Sequence, residues 1–397
     1  MSQAPLRVAV AGAGAFGKNH LRVYRELETA GLGVALVAAV EPDAARAADA
    51  AAKYAIPVFA TVDELLAADL HLDAATVAVP TVHHHAVASV LLDAGLDLLV
   101  EKPLAASLAE AGDLIARAER GKRILQPGHL ERFNPAVLAI QPQLRRPMFF
   151  ESHRLSIFTP CALDVDVVLD LMIHDLDIVL TFAASPVREV RAVGLPILSP
   201  KVDIANVRVE FESGCVANFT ASRVSTERVR KLRFFEPRQY VSIDYARQDL
   251  LVIKVDADAG KTSPSELIAS LPPQVASLLP PGIAESIASG KIDLAKIDPP
   301  LIAQFAAMAK IDPALITQLT GSGESKRGLS FAKPPVTPGE PLRLEILSFL
   351  ESVRTRRTPQ VTARQGRDAL ALALEIQASM AAHAKRAGLE DFFKPNL

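Results

Sequence analysis

Residues 6–17 read LRVAVAGAGAFG, an apolar run that leads directly into a glycine-rich turn. The apolar residues 6–11 predict a strand, and a helix is expected to follow the turn and extend through Leu27. Strand and helix patterns then alternate as far as residues 124–126, at the spacing of parallel βαβ units. Residues 1–127 are therefore predicted to form a parallel α/β domain.

The turn has the spacing GxGxxG, in which each glycine has a physical role. Gly12 permits the tight turn, Gly14 lets the backbone approach a pyrophosphate, and Gly17 lets the helix pack closely on the strand. The start of the helix offers unpaired N–H groups and the positive end of its dipole to phosphates. A plain glycine turn is the alternative, but the flanking strand and helix favour a Rossmann dinucleotide site that includes Ala15 and Phe16.

An acidic residue follows the second predicted strand, residues 34–40. Glu41 stands where a carboxylate commonly binds the ribose hydroxyls of NAD and repels the extra phosphate of NADP. No arginine adjoins it in sequence, and Arg46 is a turn further on. We therefore expect NAD rather than NADP, while Asp43 can serve as the cap of the next helix.

A charged pair ends the strand predicted within residues 98–103, which read LLVEKP. Pro103 cannot continue a central strand, so Glu101 and Lys102 are expected at its carboxyl end. Ligands bind at that edge of an open α/β sheet. Lys102 is thus a candidate for polarising a substrate oxygen, with a surface ion pair as the alternative.

Two further polar segments attract attention. The triplet at residues 83–85 is all histidine, but consecutive helical residues fan out by about 100°, so no metal site is expected. Residues 128–135 form a polar, cationic loop at a predicted domain boundary, where ligand clefts are common. Its His129, Arg132 and Asn134 are candidate substrate ligands, and a solvated linker is the alternative.

The pattern changes after residue 148 to short strands joined by tight turns, which predicts an α+β domain with a mostly antiparallel open sheet. One long helix is expected within it, over residues 165–182. Asp170 and His174 are spaced i and i+4 on that helix, so both project from one face. A carboxylate that orients an imidazole is a general-base arrangement, and a structural Asp–His pair is the alternative.

Residues 256–338 differ from the rest of the chain. They contain four Pro-Pro pairs and short apolar helices with Asp caps, each too short to be stable alone. We expect a proline-rich helical insertion, an arm that packs on another surface. Residues 128–255 and 339–397 are assigned to the second domain, which ends in two helices.

Composition excludes several classes of function. The formal net charge is −2 and no polybasic run occurs, which argues against nucleic acid or an anionic membrane as partner. No apolar run approaches the roughly 18 residues of a membrane span. The two cysteines have no metal or redox spacing, so a reduced, cytoplasmic setting is expected.

Taken together, these motifs resemble the glucose–fructose oxidoreductase and inositol dehydrogenase family, called Gfo/Idh/MocA. The resemblance covers residues 5–255 and 340–385. It rests on the glycine turn, on the Glu-Lys-Pro tripeptide at residues 101–103, and on the Asp-x-x-x-His pair at residues 170–174. Besides the glycine turn and Glu41, it implies that the cofactor contacts Pro80, Thr81, His84, Glu101 and Lys102.

The resemblance also implies a chemistry. Lys102 and His174 would flank the sugar carbon that loses hydride to NAD, with Asp170 orienting His174. Residues 128–135 and 164–180 are most similar to members that oxidise the 3-hydroxyl of UDP-N-acetylglucosamine. Such an enzyme would be a homo-oligomer, a dimer or tetramer, whose keto product passes to an aminotransferase. The alternatives are a dehydrogenase of another sugar or a cyclitol, and a catalytically silent NAD-binding subunit or sensor.

Overall fold

The computed structural model describes residues 4–158, 165–255 and 329–389. The chain divides into two compact units. The first comprises Met1–Pro237, Val241–Leu251 and Pro334–Leu397, and the second comprises Arg238–Tyr240 and Val252–Lys333. Every residue of the candidate site discussed below belongs to the first unit.

The first sheet has six parallel strands in the order β3-β2-β1-β4-β5-β6. The strands are β1 Leu6–Ala11, β2 Val34–Val40, β3 Val58–Phe59, β4 Ala74–Val77, β5 Asp97–Glu101 and β6 Leu125–Gly128. The strand order reverses between β1 and β4, and ligands of doubly wound sheets bind at the crevice outside that point. The predicted Rossmann fold is confirmed.

Five helices connect these strands: α1 Gly17–Thr29, α2 Ala44–Tyr54, α3 Val62–Ala67, α4 His84–Asp93 and α5 Leu108–Gly121. Asp43, Thr61 and Ser107 cap the starts of α2, α3 and α5 by accepting a hydrogen bond from a backbone N–H three residues on. The predicted cap at Asp43 is therefore present. The 3₁₀ turn Thr81–His83 lies between β4 and α4.

The three glycines of the turn have different surroundings. Gly12 has a φ of +96°, and a Cβ added there would lie 2.6 Å from the Ala78 carbonyl oxygen. A Cβ on Gly17 would lie 1.9 Å from the Gly12 carbonyl oxygen, which no side chain can tolerate. A Cβ on Gly14 would meet no atom within 4 Å. Two glycines are thus required by packing, and the third leaves open space beside the turn.

The second sheet is mostly antiparallel, as predicted. Over five of its strands the order is β11-β7-β10-β9-β8, in which only the β7–β10 pair is parallel. Its strands in the first part of the chain are β7 Phe149–Ile157, β8 Val187–Leu195, β9 Ile204–Phe211, β10 Val216–Ser225, β11 Val229–Glu236 and β12 Gln239–Asp244.

The later helices are α6 Pro135–Ile140, α7 Ile173–Ala183, α8 Pro341–Thr355 and α9 Ala363–Arg386, and the π-helical turn Val168–Met172 leads into α7. Helices α7 and α9 pack on each other, and α9 contacts β8 of the second sheet. Phe182 of α7 packs edge-on against Phe234 of β11, with ring centroids 5.8 Å apart. The helix predicted over residues 165–182 is therefore a π turn followed by an α-helix, both on the buried side of the sheet.

Helix α8 belongs to the core of the first sheet. Its apolar face packs with β1, β2 and α1, and the residues it contributes are buried: Leu342, Ile346, Phe349, Leu350 and Val353. Arg354 adds hydrogen bonds from Nη2 to the carbonyl oxygens of Leu32 and Gly33, both at 2.8 Å. Helix α8, which lies in the segment assigned to the second domain, thus contributes to the core of the first sheet. The domain boundaries stay a prediction.

The described part of the second unit contains a strand pair. Strand β13 Asp249–Val255 pairs antiparallel with β14 Leu329–Ala332, and Val252 lies opposite Ala332. Strand β14 falls within the segment predicted as a helical insertion, where no strand was expected. The short helices predicted in residues 256–328 lie outside the described residues, so the packing arm stays a prediction.

None of the helices in the described ranges is long and apolar enough to cross a membrane.

The glycine turn yields a test of packing. We expect Gly17→Ala to lower the free energy of unfolding by about 3 kcal/mol or more, because the new methyl collides with the Gly12 carbonyl. Gly112→Ala is the matched control, since it lies inside α5 with no atom within 4 Å of the added Cβ. The control should gain about 0.5–1 kcal/mol. Chemical denaturation measures both, and equal stability of Gly17→Ala and wild type would contradict the packing account.

Candidate active site

Lys102 lies immediately beyond the carboxyl end of β5, as expected, and reaches the segment that precedes α7. Its Nζ donates to the Asp170 carbonyl oxygen at 2.7 Å and lies 3.8 Å from Asp170 Oδ1. The side chain is 19% exposed. Burial lowers the pKa of Lys102, although Asp170 and Glu101 favour its charged form. The contact brings an ammonium group next to the helix that carries His174.

Glu101 is held from two sides. Its Oε1 lies 2.7 Å from His20 Nε2, and its Oε2 accepts from the Lys102 backbone N–H at 3.2 Å. His20 is completely buried on the inner face of α1. Sequence reasoning missed His20, although a histidine beside Leu21 and Tyr24 on an apolar helix face was a usable signal. The pair fixes the strand end from which Lys102 projects.

His84 secures the same segment from behind. Its Nδ1 lies 2.8 Å from the Pro103 carbonyl oxygen and its Nε2 lies 2.9 Å from that of Val79. The ring is 1% exposed, and burial lowers the pKa of His84. Because both ring nitrogens face backbone carbonyls, His84 positions the Lys102 segment, and its contact with a cofactor stays a prediction. Pro80 is exposed and Thr81 is partly exposed.

Glu41 braces the turn. Its Oε2 accepts from the Ala13 backbone N–H at 2.9 Å, and its Oε1 accepts from the Asp43 N–H at 3.0 Å and from Arg46 Nη2 at 2.8 Å. Burial opposes its charge, but these bonds together lower the pKa of Glu41. No arginine adjoins Glu41 in sequence, but α2 brings Arg46, five residues on, into contact with it. The carboxylate of Glu41 therefore contacts both the backbone of the glycine turn and the guanidinium of Arg46.

These residues fit a dinucleotide. The open space at Gly14, the exposed Ala15 and Phe16 at the start of α1, and Glu41 at the end of β2 form a cradle of the required chemistry. Within the described ranges, no three His, Cys, Asp or Glu side chains come together in a way that would hold a metal ion.

His174 is the second residue of α7, and its side chain is partly buried. Burial lowers its pKa well below the ordinary value, and the positive charges of Lys102, Arg154 and Arg230 lower it further. The imidazole is therefore neutral at pH 7 and available to accept a proton.

The predicted hydrogen bond between Asp170 and His174 is not formed. His174 Nδ1 has no hydrogen-bond partner among the described residues. Asp170 instead lies against the ammonium group of Lys102, which attracts a carboxylate more strongly than a neutral imidazole does. Asp170 thus acts on Lys102, and the i, i+4 spacing misassigned its partner.

A buried arginine supports the helix from the sheet. Arg154 of β7 makes a bidentate pair with Asp175, with Nε–Oδ2 at 2.6 Å and Nη2–Oδ1 at 3.1 Å, and it donates to Glu131 Oε1 at 3.1 Å. Its guanidinium also lies 5.2 Å from the centre of the Tyr245 ring. Asp175 adjoins His174, so this network holds the imidazole in place. Strand periodicity alone gave no signal that Arg154 faces inward.

The loop over residues 128–135 is buried, so it is not a solvated linker, and substrate binding by its residues stays a prediction. Arg132 is 2% exposed and bonds to Asp177 at 3.3 Å and to Thr181. Asn134 is 2% exposed, caps α6 and donates to the Tyr245 carbonyl oxygen at 3.0 Å. Both side chains therefore donate within the protein, although Arg132 Nε has no partner among the described residues.

His129 differs from its two neighbours in the loop. It is 1% exposed, neither ring nitrogen has a hydrogen-bond partner in the described ranges, and its Nδ1 lies 4.0 Å from Asp177 Oδ2. Burial lowers the pKa of His129. Its assignment as a substrate ligand stays a prediction.

Comparison with known proteins agrees with this arrangement. Residues 6–129 match the family model described as "Oxidoreductase family, NAD-binding Rossmann fold", and residues 137–238 match the "GFO/IDH/MocA C-terminal domain".

Among curated relatives, the UDP-N-acetylglucosamine 3-dehydrogenase of Acidithiobacillus ferrooxidans is 37% identical over 246 residues, 62% of this chain and 76% of the relative. The inositol 2-dehydrogenase of Leifsonia xyli is 33% identical over 202 residues, 47% of this chain and 56% of the relative. A solved structure of the Acidithiobacillus ferrooxidans enzyme superposes with a TM-score of 0.74 and 28% identity, covering 96% of this chain and 99% of that chain.

The open space at Gly14 predicts a selective effect on the cofactor. Gly14→Ala should raise the dissociation constant for NAD by about 10-fold or more, because the methyl occupies the side from which a pyrophosphate approaches. The melting temperature without NAD should not change. Fluorescence titration measures the affinity, with Gly112→Ala as the control that keeps it. Normal NAD affinity in Gly14→Ala would show that the phosphates do not pass this glycine.

Proposed function

Because this chain belongs to the GFO/IDH/MocA family of NAD-binding oxidoreductases, we propose that it oxidises the 3-hydroxyl of UDP-N-acetylglucosamine to a ketone. Membership makes it a dehydrogenase that acts on CH–OH groups and uses NAD. The choice of substrate is supported by similarity to an enzyme of that name, 37% identical over 246 residues.

The observation that carries the proposal is the contact between Lys102 and the backbone of Asp170, which brings a cation and a neutral imidazole to the carboxyl edge of the parallel sheet. His174 takes the hydroxyl proton of the sugar as general base. Lys102 donates a hydrogen bond to the same oxygen and stabilises its developing negative charge. When bound, NAD supplies the acceptor for the hydride.

The remaining residues keep these two groups in their reactive states. Asp170 favours the charged form of Lys102, so the ammonium keeps its proton despite burial. Arg154 and Asp175 fix the helix beside His174. The product is a 3-keto sugar, which an aminotransferase could consume, and a homo-oligomer in the cytoplasm stays our expectation.

Oxidation of a free cyclitol is the second candidate, favoured by similarity to inositol 2-dehydrogenase. Purified protein incubated with NAD separates the two. We expect UDP-N-acetylglucosamine to yield NADH and a product lighter by the mass of two hydrogens, whereas inositol should yield neither. Activity on inositol with none on the UDP-sugar would replace the first candidate by the second.

The same assay tests the two residues. Lys102→Ala and His174→Ala should each lose about 10²–10⁴-fold in kcat and keep NAD affinity, because each removes a group that acts on the reacting hydroxyl. The exposed Lys201→Ala is the matched control and should retain full activity. Turnover near that of wild type in either variant would remove that residue from the mechanism.

The electrostatics of the site predict a pH profile. His174 must be neutral to accept a proton, and its lowered pKa keeps it neutral to below its ordinary value of 6.5. Lys102 must be charged, and its lowered pKa makes it lose its proton below the ordinary 10.5. A plot of kcat/KM against pH should therefore show an acid limb centred below 6.5 and an alkaline limb centred below 10.5. An acid limb at or above 6.5 would contradict the role of burial at His174.

A further inference from the structure

A second arginine faces the site from the sheet. Arg230 of β11 lies directly opposite Arg154 of β7 in the antiparallel ladder. Side chains alternate along a strand, and the next residues of the same parity, Leu232 and Phe234, are completely buried. Arg230 therefore enters the side of the sheet on which Phe182 of α7 packs against Phe234.

The two arginines differ in their partners. Arg154 is neutralised by Asp175 and Glu131. The side chain of Arg230 makes no ion pair or hydrogen bond with any residue that the structure describes, and its Nε is buried without a partner. Burial disfavours the charge of Arg230 most, Arg154 repels it, and Glu131 and Asp175 attract it without forming an ion pair with it. The fold thus keeps a cation in an unfavourable place.

The position of Arg230 relates it to the reacting groups. Its charge acts on His174 and lowers the pKa of that imidazole, and burial together with Arg154 lowers the pKa of Arg230 itself. Lys102 and Arg132, by contrast, already donate to Asp170 and Asp177. Arg230 is consequently a cation close to His174 whose donors remain available to a ligand.

We propose that Arg230 binds a phosphate of the substrate and thereby makes the enzyme prefer a sugar linked to a nucleoside diphosphate over a free sugar. This inference rests on the proposed function. A guanidinium matches the oxygen spacing of a phosphate and binds it through two parallel hydrogen bonds, and partial burial strengthens that interaction. A neutral sugar would leave Arg230 as it is in the free protein and would gain nothing from it.

The direct test is binding of UDP, which carries the diphosphate without the sugar. The full chain with saturating NAD is titrated with UDP by calorimetry. Arg230→Gln should weaken binding by about 10- to 100-fold, the usual range for loss of charged hydrogen bonds. Arg233→Gln is the matched control, because Arg233 lies on the opposite face of β11, paired with Glu151 at 3.1 Å. It should bind UDP as wild type does.

Kinetics add a second readout. In Arg230→Gln the KM for UDP-N-acetylglucosamine should rise by a similar factor, with a smaller change in kcat, because the phosphate is remote from the reacting carbon. The melting temperature of Arg230→Gln should equal or exceed that of wild type, since one of two facing cations is gone. If the melting temperature of Arg230→Gln falls instead, UDP binding is measured with Arg230→Lys, which keeps the positive charge but not the guanidinium. Weaker binding of UDP to Arg230→Lys supports the proposal, and unchanged binding overturns it.

The outcomes separate the two proposals. If wild type binds UDP and oxidises the UDP-sugar while Arg230→Gln does both equally well, Arg230 has no such role and the proposed function stands. If wild type ignores UDP and oxidises a free cyclitol, the substrate class is wrong and the role of Arg230 fails with it. Loss of UDP binding in Arg230→Gln alone, with Arg233→Gln unaffected, establishes the proposal.

Discussion

The hydrogen bond from Lys102 Nζ to the Asp170 carbonyl oxygen joins the parallel sheet to the helix of the second sheet. The contacts that position Lys102 are made by its neighbours Glu101 and Pro103 at the end of β5. His20 holds Glu101 from α1, and His84 holds Pro103 from α4. Everything that places His174 acts through α7, which Arg154 fixes to β7 through Asp175. One bond of 2.7 Å thus sets the separation of two groups that come from different sheets.

The surroundings of His174 explain how a histidine serves as a base at neutral pH. Burial and cationic groups lower its pKa, and the carboxylate four residues before it lies against Lys102. A carboxylate bonded to the imidazole would favour the charged ring and would raise its pKa. Because the carboxylate of Asp170 lies against Lys102 instead, the lysine is kept charged and the histidine is kept neutral.

The sequence predicted best what depends on neighbouring residues. The strand, turn and helix around Gly12, the cap at Asp43 and the position of Lys102 follow from local steric and hydrogen-bonding rules, and the structure contains them. Failures came where a side chain has several partners within reach. Arg46 folds back to Glu41 along α2, and Asp170 has a lysine available that is 68 residues distant in sequence.

Composition misled for the loop over residues 128–135. Polar and cationic residues in a loop indicate solvent or a ligand, yet Arg132 and Asn134 are 2% exposed and bond to the protein interior. The sequence also did not predict that Arg154 and Arg230 point to the buried face of the sheet. The pattern of a strand shows which residues face the core only when the alternate residues are clearly apolar. Long-range pairing therefore decides the second half of the site.

The packing of α8 on the first sheet has a consequence for how the chain folds. Residues such as Ile346 and Phe349 fill a core whose other members, including Val8 and Leu21, were synthesised more than three hundred positions earlier. On the ribosome the first sheet emerges before α8, so part of its apolar surface stays uncovered until α8 has been made. Contacts between residues so far apart in sequence slow folding, and the incomplete core is exposed to chaperones in the meantime. The first sheet is therefore made early but completes its core late.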